Sequence, residues 1–159
     1  MDNLYSTLIQ QTFNFPQEGF NVQEDGLYFN DIPLMDIIKQ YGTPLRISYL
    51  PKIGSQIQKA KRLFNVAMAK ADYKGKYVYC YCTKSSHFSF VLDEVLKNEV
   101  HIETSSAFDI QIIKELFQKK ALGKDTYIIC NGYKRQGYKQ NICDLINDGF
   151  NVIPVLDHL

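Results

Sequence analysis

The chain lacks any excess of charge. Lys and Arg total 18 and Asp and Glu total 17, for a net charge of +1. Such a balance supplies no long-range field to draw in DNA, RNA or an anionic membrane surface, so no nucleic-acid partner is expected. Long hydrophobic runs are missing too. Nothing approaches the ~20 apolar residues that cross a bilayer, so no membrane partner is expected either. The opening, MDNLYSTLIQQTF, has no basic stretch followed by an apolar core, and it does not read as a secretory signal. The four cysteines, Cys80, Cys82, Cys130 and Cys143, include no C-x-x-C pair, and His87, His101 and His158 are scattered. No metal site is therefore expected, and the thiols read as four reduced cysteines of a cytoplasmic protein. There is no G-x-G-x-x-G, nucleophile elbow, glycosidase carboxylate pair or H-E-x-x-H.

What is present is an ordinary globular composition, 45% hydrophobic, of a length that fits one domain or part of a larger one. Ile53, Ile57, Ala60, Phe64 and Ala67 recur at helical spacing, with Lys and Arg on the opposite, solvated face. A strand is expected over 77–83, then a helical stripe of Phe88, Val91, Leu92, Val95 and Leu96. A strand over 100–104 precedes a helix over 109–120, with Ile110, Ile113 and Phe117 on one face. A strand over 127–130 precedes a helix marked by Ile142, Leu145 and Ile146, closed by Gly149 in the position of a left-handed cap. The last strand is expected over 151–156. Strands beginning near Tyr77, Val100, Thr126 and Asn151 lie 23, 26 and 25 residues apart. A steady alternation of strand and helix means parallel strands with right-handed crossovers. Such a sheet either stays open, as in a flavodoxin-like fold, or closes into an eight-stranded barrel. Before it, strands are expected over 27–30 and 45–49, with a helix over 34–41 stopped by Gly42 and Pro44. Residues 1–24 are polar, rich in Gln and Asn, and receive no assignment.

One strand carries a candidate chemistry. Alternate residues of a strand share a face, so in Tyr77-Val-Tyr-Cys-Tyr-Cys-Thr-Lys84 the lysine shares a side with Val78, Cys80 and Cys82. Those small residues suit a barrel interior, with Tyr77, Tyr79 and Tyr81 turned outward to the helices. Lys84 then stands at the C-terminal end of a strand, where barrel enzymes keep their reacting groups. A lysine there forms an imine with an aldehyde once its amine is neutral. The ordinary alternative is a solvated charge in a loop. Glu103 shares a face with His101 and Ser105 and could orient a cofactor beside Lys84; a solvated strand-end carboxylate is its plain reading. His87 could line the same mouth or be a surface histidine. Ser85 and Ser86 look like helix N-caps. Asn131-Gly132 and Asp157-His158 close the third and fourth strands of the series on the same rim, and either pair also fits plain turn chemistry.

These residues resemble a known family. Tyr41-Gly-Thr-Pro-Leu45 is similar to the opening signature of the fold-type III pyridoxal-phosphate decarboxylases. Thr83-Lys84-Ser85 matches the cofactor-lysine strand, and Glu103-Thr-Ser-Ser-Ala-Phe-Asp109 stands where the family has an acidic, small-residue segment. Ile129-Cys-Asn-Gly-Tyr-Lys134 and Ala71-Asp-Tyr-Lys-Gly-Lys-Tyr77 resemble the biosynthetic arginine decarboxylases within it. The likeness begins near Leu27 and runs to the C-terminus. Cys-Thr-Lys-Ser-Ser departs from the commoner wording, which has a more aliphatic lead and Asn after the lysine.

The resemblance implies an α/β fold: the first half of a (β/α)8 TIM-type barrel, as in alanine racemase and ornithine decarboxylase, preceded by an N-terminal β-containing segment. Residues 1–50 would supply strands to a β-rich second domain, and residues 51–159 the first four βα units of the barrel. It implies pyridoxal 5'-phosphate as cofactor, Lys84 as the Schiff-base lysine and Glu103 as a cofactor-binding acidic residue. The expected reaction is decarboxylation of a basic amino acid, arginine to agmatine first, in polyamine biosynthesis. Ornithine, lysine or diaminopimelate as substrate, or a non-catalytic partner-binding relative, are the alternatives. A homo-oligomer of at least two copies is implied. Only four barrel strands fit before Leu159, so the expectation is a truncated chain, inactive by itself.

Overall fold

The computed structural model describes residues 18–23 and 26–156. Most of residues 1–24, and the pair Asp157-His158, lie outside them. The chain forms two compact units, Met1–Ser48 and Tyr49–Leu159.

In the first unit, β1 (Phe20–Gln23) pairs antiparallel with β2 (Gly26–Phe29), and β2 with β3 (Ile32–Pro33). Phe20 sits opposite Phe29 with ring centroids 4.7 Å apart, the kind of cross-strand aromatic pair that holds a small sheet in register. Asn30 and Asp31, both at positive φ (47° and 62°), make the two-residue turn between β2 and β3. Asn and Asp suit that conformation because their short side chains tolerate the left-handed region. Helix α1 (Leu34–Tyr41) ends as the sequence implies: Gly42 takes φ +78° and donates its N–H to the Ile38 carbonyl. The strand expected over 45–49 is not formed. Leu45 and Ile47 are exposed, and no described strand pairs with the segment, so it has no ladder to join.

The second unit alternates helix and strand: α2 (Pro51–Lys70), β4 (Cys80–Cys82), α3 (Ser89–Leu96), β5 (His101–Thr104), α4 (Ala107–Gln118), β6 (Ile128–Cys130), α5 (Gln136–Asn147) and β7 (Val152–Pro154). The four strands lie in the order β4-β5-β6-β7, and every pairing is parallel. Each new strand is added on the same side of the last, so right-handed crossovers carry the helices to one face. Among the described strands the order never reverses, so they include no switch point of the kind a flavodoxin-like fold uses.

The core lies between that face and the helices. Ile102 and Ile128, both fully buried, pack with Leu92 of α3, Ile110 and Ile113 of α4, and Tyr138, Ile142 and Leu145 of α5. A second cluster joins Ile57 of α2 to Val91, Val95 and Val100. Each fully buried aliphatic side chain contributes about 1.5–3 kcal/mol.

Several local expectations are corrected. The strand expected over 77–83 is reduced to three residues. It is an edge strand whose partner β5 begins only at His101, and Tyr77 stacks on Phe64 instead, at 4.1 Å. Phe64 is accordingly about half exposed, and Ile57 is the buried residue of α2. Lys61, read as part of a solvated face, donates to the Asn98 and Glu99 carbonyls beyond α3. Ser85 and Ser86 cap no helix: the Ser85 N–H closes a turn onto the Cys82 carbonyl, and α3 starts later, after Phe88. Helix α4 starts at Ala107, two residues before the expected Asp109, because that side chain reaches back to cap it. Gly149 takes φ +81°, as its capping position requires.

Candidate functional site

Register divides the sheet into two sides. Tyr81, Ile102, Ile128 and Val152 are paired across the four strands, and all belong to the helix-facing core or pack against it. The next row, Cys82, Glu103, Ile129 and Ile153, faces the other way. Among the described residues of the second unit no helix packs on that side, and Ile153 at its edge is 43% exposed. Tyr79 and Tyr81 do pack toward the helices, so Cys80 and Cys82 occupy the uncovered side.

Lys84 lies two residues beyond Cys82, the register partner of Glu103. Strand parity stops short of it, because Thr83, Lys84 and Ser85 form a turn. Its side chain is exposed and makes no hydrogen bond or ion pair among the described residues. Lys84 and Glu103 are therefore brought to the C-terminal ends of neighbouring strands without being bonded to each other.

Glu103 is half-buried and held from two directions. Its carbonyl accepts the Thr83 N–H at 3.0 Å and the Thr83 hydroxyl at 3.1 Å, which ties the end of β4 to β5. Thr83 is fully buried. On the carboxylate, Oε1 accepts from Asn131 Nδ2 at 3.0 Å. Asn131 Oδ1 in turn accepts the Gly132 N–H at 2.8 Å. Gly132 has φ +77°, and a Cβ there would lie 2.4 Å from the Ser105 carbonyl oxygen. Only glycine lets the loop after β6 come this close to the loop after β5. The sequence marks Asn131-Gly132 as a turn on the rim, but not its contact with Glu103, since a 28-residue separation leaves no local signal.

Asp109 anchors the neighbouring loop. Its Oδ2 accepts the Ser105 N–H at 2.7 Å, the Ser106 N–H at 2.9 Å and the Ser105 hydroxyl at 3.1 Å. Beneath the rim, Thr104 Oγ1 lies 2.9 Å from the Tyr138 hydroxyl oxygen and 3.5 Å from Cys130 Sγ. Burial pushes the pKa of both the Tyr138 hydroxyl and the Cys130 thiol upward, so they are neutral packing groups.

The histidines stand apart from this network. His87 is exposed, with its ring 5.9 Å from that of Phe88. His101 shares a face with Glu103 but begins β5, at the end of the strand away from the rim. Its Nδ1 accepts the Tyr127 N–H at 2.8 Å. Burial lowers its pKa; Asp125 opposes that shift and Lys61 adds to it. Among the described residues no group of three or more His, Cys, Asp or Glu could hold a metal ion, and no helix is long and apolar enough to cross a membrane.

The donor set fits a carbonyl-bearing cofactor. An unpaired primary amine at a strand end can reach a carbonyl carbon, and a fixed carboxylate on the adjacent strand can orient a polar ring. The fold defines the class: a mixed α/β protein with a singly wound parallel sheet and its loop chemistry at the C-terminal strand ends. Among solved structures, the biosynthetic arginine decarboxylase of Campylobacter jejuni is similar over 99% of this chain, with a TM-score of 0.68 and 20% sequence identity. The match covers 27% of that enzyme's chain. At that identity the likeness is one of fold. No protein-family model matches the chain, and no curated protein matches it.

Proposed function

We propose that this chain is the front part of a pyridoxal-phosphate-dependent decarboxylase of a basic amino acid, with arginine as substrate and agmatine and carbon dioxide as products. One observation carries the reading. Its support is that a chain similar in fold to part of an arginine decarboxylase has a lysine bonded to no described neighbour and a tethered carboxylate at adjacent strand ends. Residues 51–159 would then form the first four βα units of a TIM-type barrel, and the strands of residues 1–50 would belong to a second, β-rich domain.

In this reading Lys84 holds the cofactor through its amine, and Glu103 orients it. The cofactor, when bound, supplies the electron sink that makes loss of carbon dioxide feasible. Lys84 would hold and move a proton at Nζ. Thr83 fixes the spacing between the two strand ends. Arginine is preferred over ornithine, lysine or diaminopimelate because Asn131-Gly-Tyr-Lys134 and the 71–77 stretch resemble arginine decarboxylases. A homo-oligomer of at least two copies in the cytoplasm belongs to the same proposal.

The test is direct. The complete protein is incubated with pyridoxal phosphate and reduced with borohydride, and its peptides are mapped. The adduct is expected on Lys84, and carbon dioxide release is expected to be fastest from arginine. An adduct on another lysine refutes the site, and faster turnover of ornithine or diaminopimelate refutes the substrate.

A further inference from the structure

We propose that Asn131 is a positioning residue that holds the Glu103 carboxylate in its working orientation. The inference rests on the reading of Lys84 and Glu103 as the cofactor site. Three observations converge on it. Asn131 Nδ2 donates to Glu103 Oε1 at 3.0 Å. The amide cannot turn over without loss, because Oδ1 accepts the Gly132 N–H at 2.8 Å and a flip would set oxygen against carboxylate and NH2 against N–H. The backbone carrying it is pinned as well: Gly132 lies so close to Ser105 that a Cβ would meet its carbonyl oxygen at 2.4 Å. Asp109, bonded to the Ser105 N–H and hydroxyl, fixes that loop from the other side.

The consequence is a short chain of restraints, Asp109 to Ser105 to Gly132 to Asn131 to Glu103. It ends on a carboxylate that would otherwise be free to rotate at the mouth of the sheet. Asn131 makes no side-chain hydrogen bond to Lys84 among the described residues; in this proposal it acts through Glu103. Asparagine suits the task because it supplies one donor and one acceptor at fixed geometry and adds no charge. Aspartate has the same shape but would face Glu103 with a like charge.

The experiment measures the rate at which the protein captures pyridoxal phosphate at Lys84, trapped with borohydride and read by peptide mapping. Asn131→Ala and Glu103→Gln should each slow capture about tenfold, the scale of one hydrogen bond to a charged group. The double variant should be no slower than Glu103→Gln alone, because both changes remove one function. Asn131→Asp should be slow at neutral pH and approach the parent rate, measured at the same pH, as acidification lets the facing carboxylates share a proton. A merely structural asparagine would not produce that pH profile.

Capture by Asn131→Ala at the parent rate overturns the proposal, and so does a double variant slowed by the product of the two single effects. If the parent itself captures nothing at Lys84, the cofactor reading fails and the positioning role fails with it. The Asn131 side-chain amide signals, followed by heteronuclear NMR with and without Glu103→Ala, which removes the acceptor, distinguish the two failures. Signals that move show a real bond serving other chemistry, and signals that stay show that the bond was wrong.

Discussion

Lys84 is exposed and bonded to no described neighbour, so its removal should leave the fold intact. Lys84→Ala is expected to match the parent in circular dichroism and denaturation midpoint while losing nearly all turnover in the complete enzyme; a variant that keeps its activity refutes the assignment. Gly132→Ala should behave in the opposite way. A side chain at φ +77° and a contact of 2.4 Å to backbone oxygen require the loop to move. The strain is expected to cost about 1–3 kcal/mol in urea denaturation. His101 supplies a pH dependence. Its folded pKa is depressed, so below the ordinary histidine value of about 6.5 the unfolded chain takes up a proton that the folded chain refuses. Stability is thus fully present above that value and falls as the pH drops toward the folded pKa. Protonation would also remove the Nδ1 acceptor of the Tyr127 N–H. Denaturation midpoints should fall more on mild acidification in the parent than in His101→Asn, and parallel losses would show that His101 is not the cause.

At the scale of elements, the loops after β5 and β6 depend on a few side chains that are remote from them in the chain or reach backward along it. Asp109 is nearly buried, and its Oδ2 accepts three hydrogen bonds at the start of α4. Asp109→Ala should cost about 1–2 kcal/mol, as loss of a helix N-terminal cap does, with Asp109→Asn in between. The Thr104–Tyr138 pair couples β5 to α5 at 2.9 Å. Thr104→Val should cost about 1–3 kcal/mol because the buried Tyr138 hydroxyl loses its oxygen partner and keeps only the weaker Cys130 thiol. The matching Tyr138→Phe change should add little on top, and full additivity in the double variant would show that the two do not interact.

At the scale of the whole molecule, the helices protect one side of the parallel sheet, and the other side carries Cys82, Glu103, Ile129 and Ile153. Strands β4 and β7 are its two edges, each with one partner among the described strands. Open parallel edges, with Ile153 exposed beside one of them, favour association. The isolated 159-residue chain is therefore expected to sediment as more than a monomer, and Ile153→Lys should shift it toward monomer without disturbing the helix-side core. A dilute, stable monomer for the unmodified chain would contradict this.

The order and kind of the elements in the second unit were legible in the sequence, because each amphipathic stripe states its own period. Ile53 and Ile57, Val91 and Leu92, Ile110 and Ile113, and Ile142 and Leu145 all lie on helices. The glycine after α5 declared its left-handed conformation for the same local reason, as Gly149 shows. Strand lengths and caps were not legible. How far β4 extends depends on where β5 begins, and whether 45–49 becomes a strand depends on a partner elsewhere in the chain. The rim divides in the same way. Lys84 and Glu103 stand out by residue type and place at or just past a strand end, which are local properties. The bond from Asn131 to Glu103, the anchoring of Ser105 by Asp109 and the close approach of Gly132 exist only once parallel strands distant in sequence are set side by side. A sequence states its local periodicities directly, whereas a hydrogen bond across 28 residues is decided by the register of the sheet that brings its ends together.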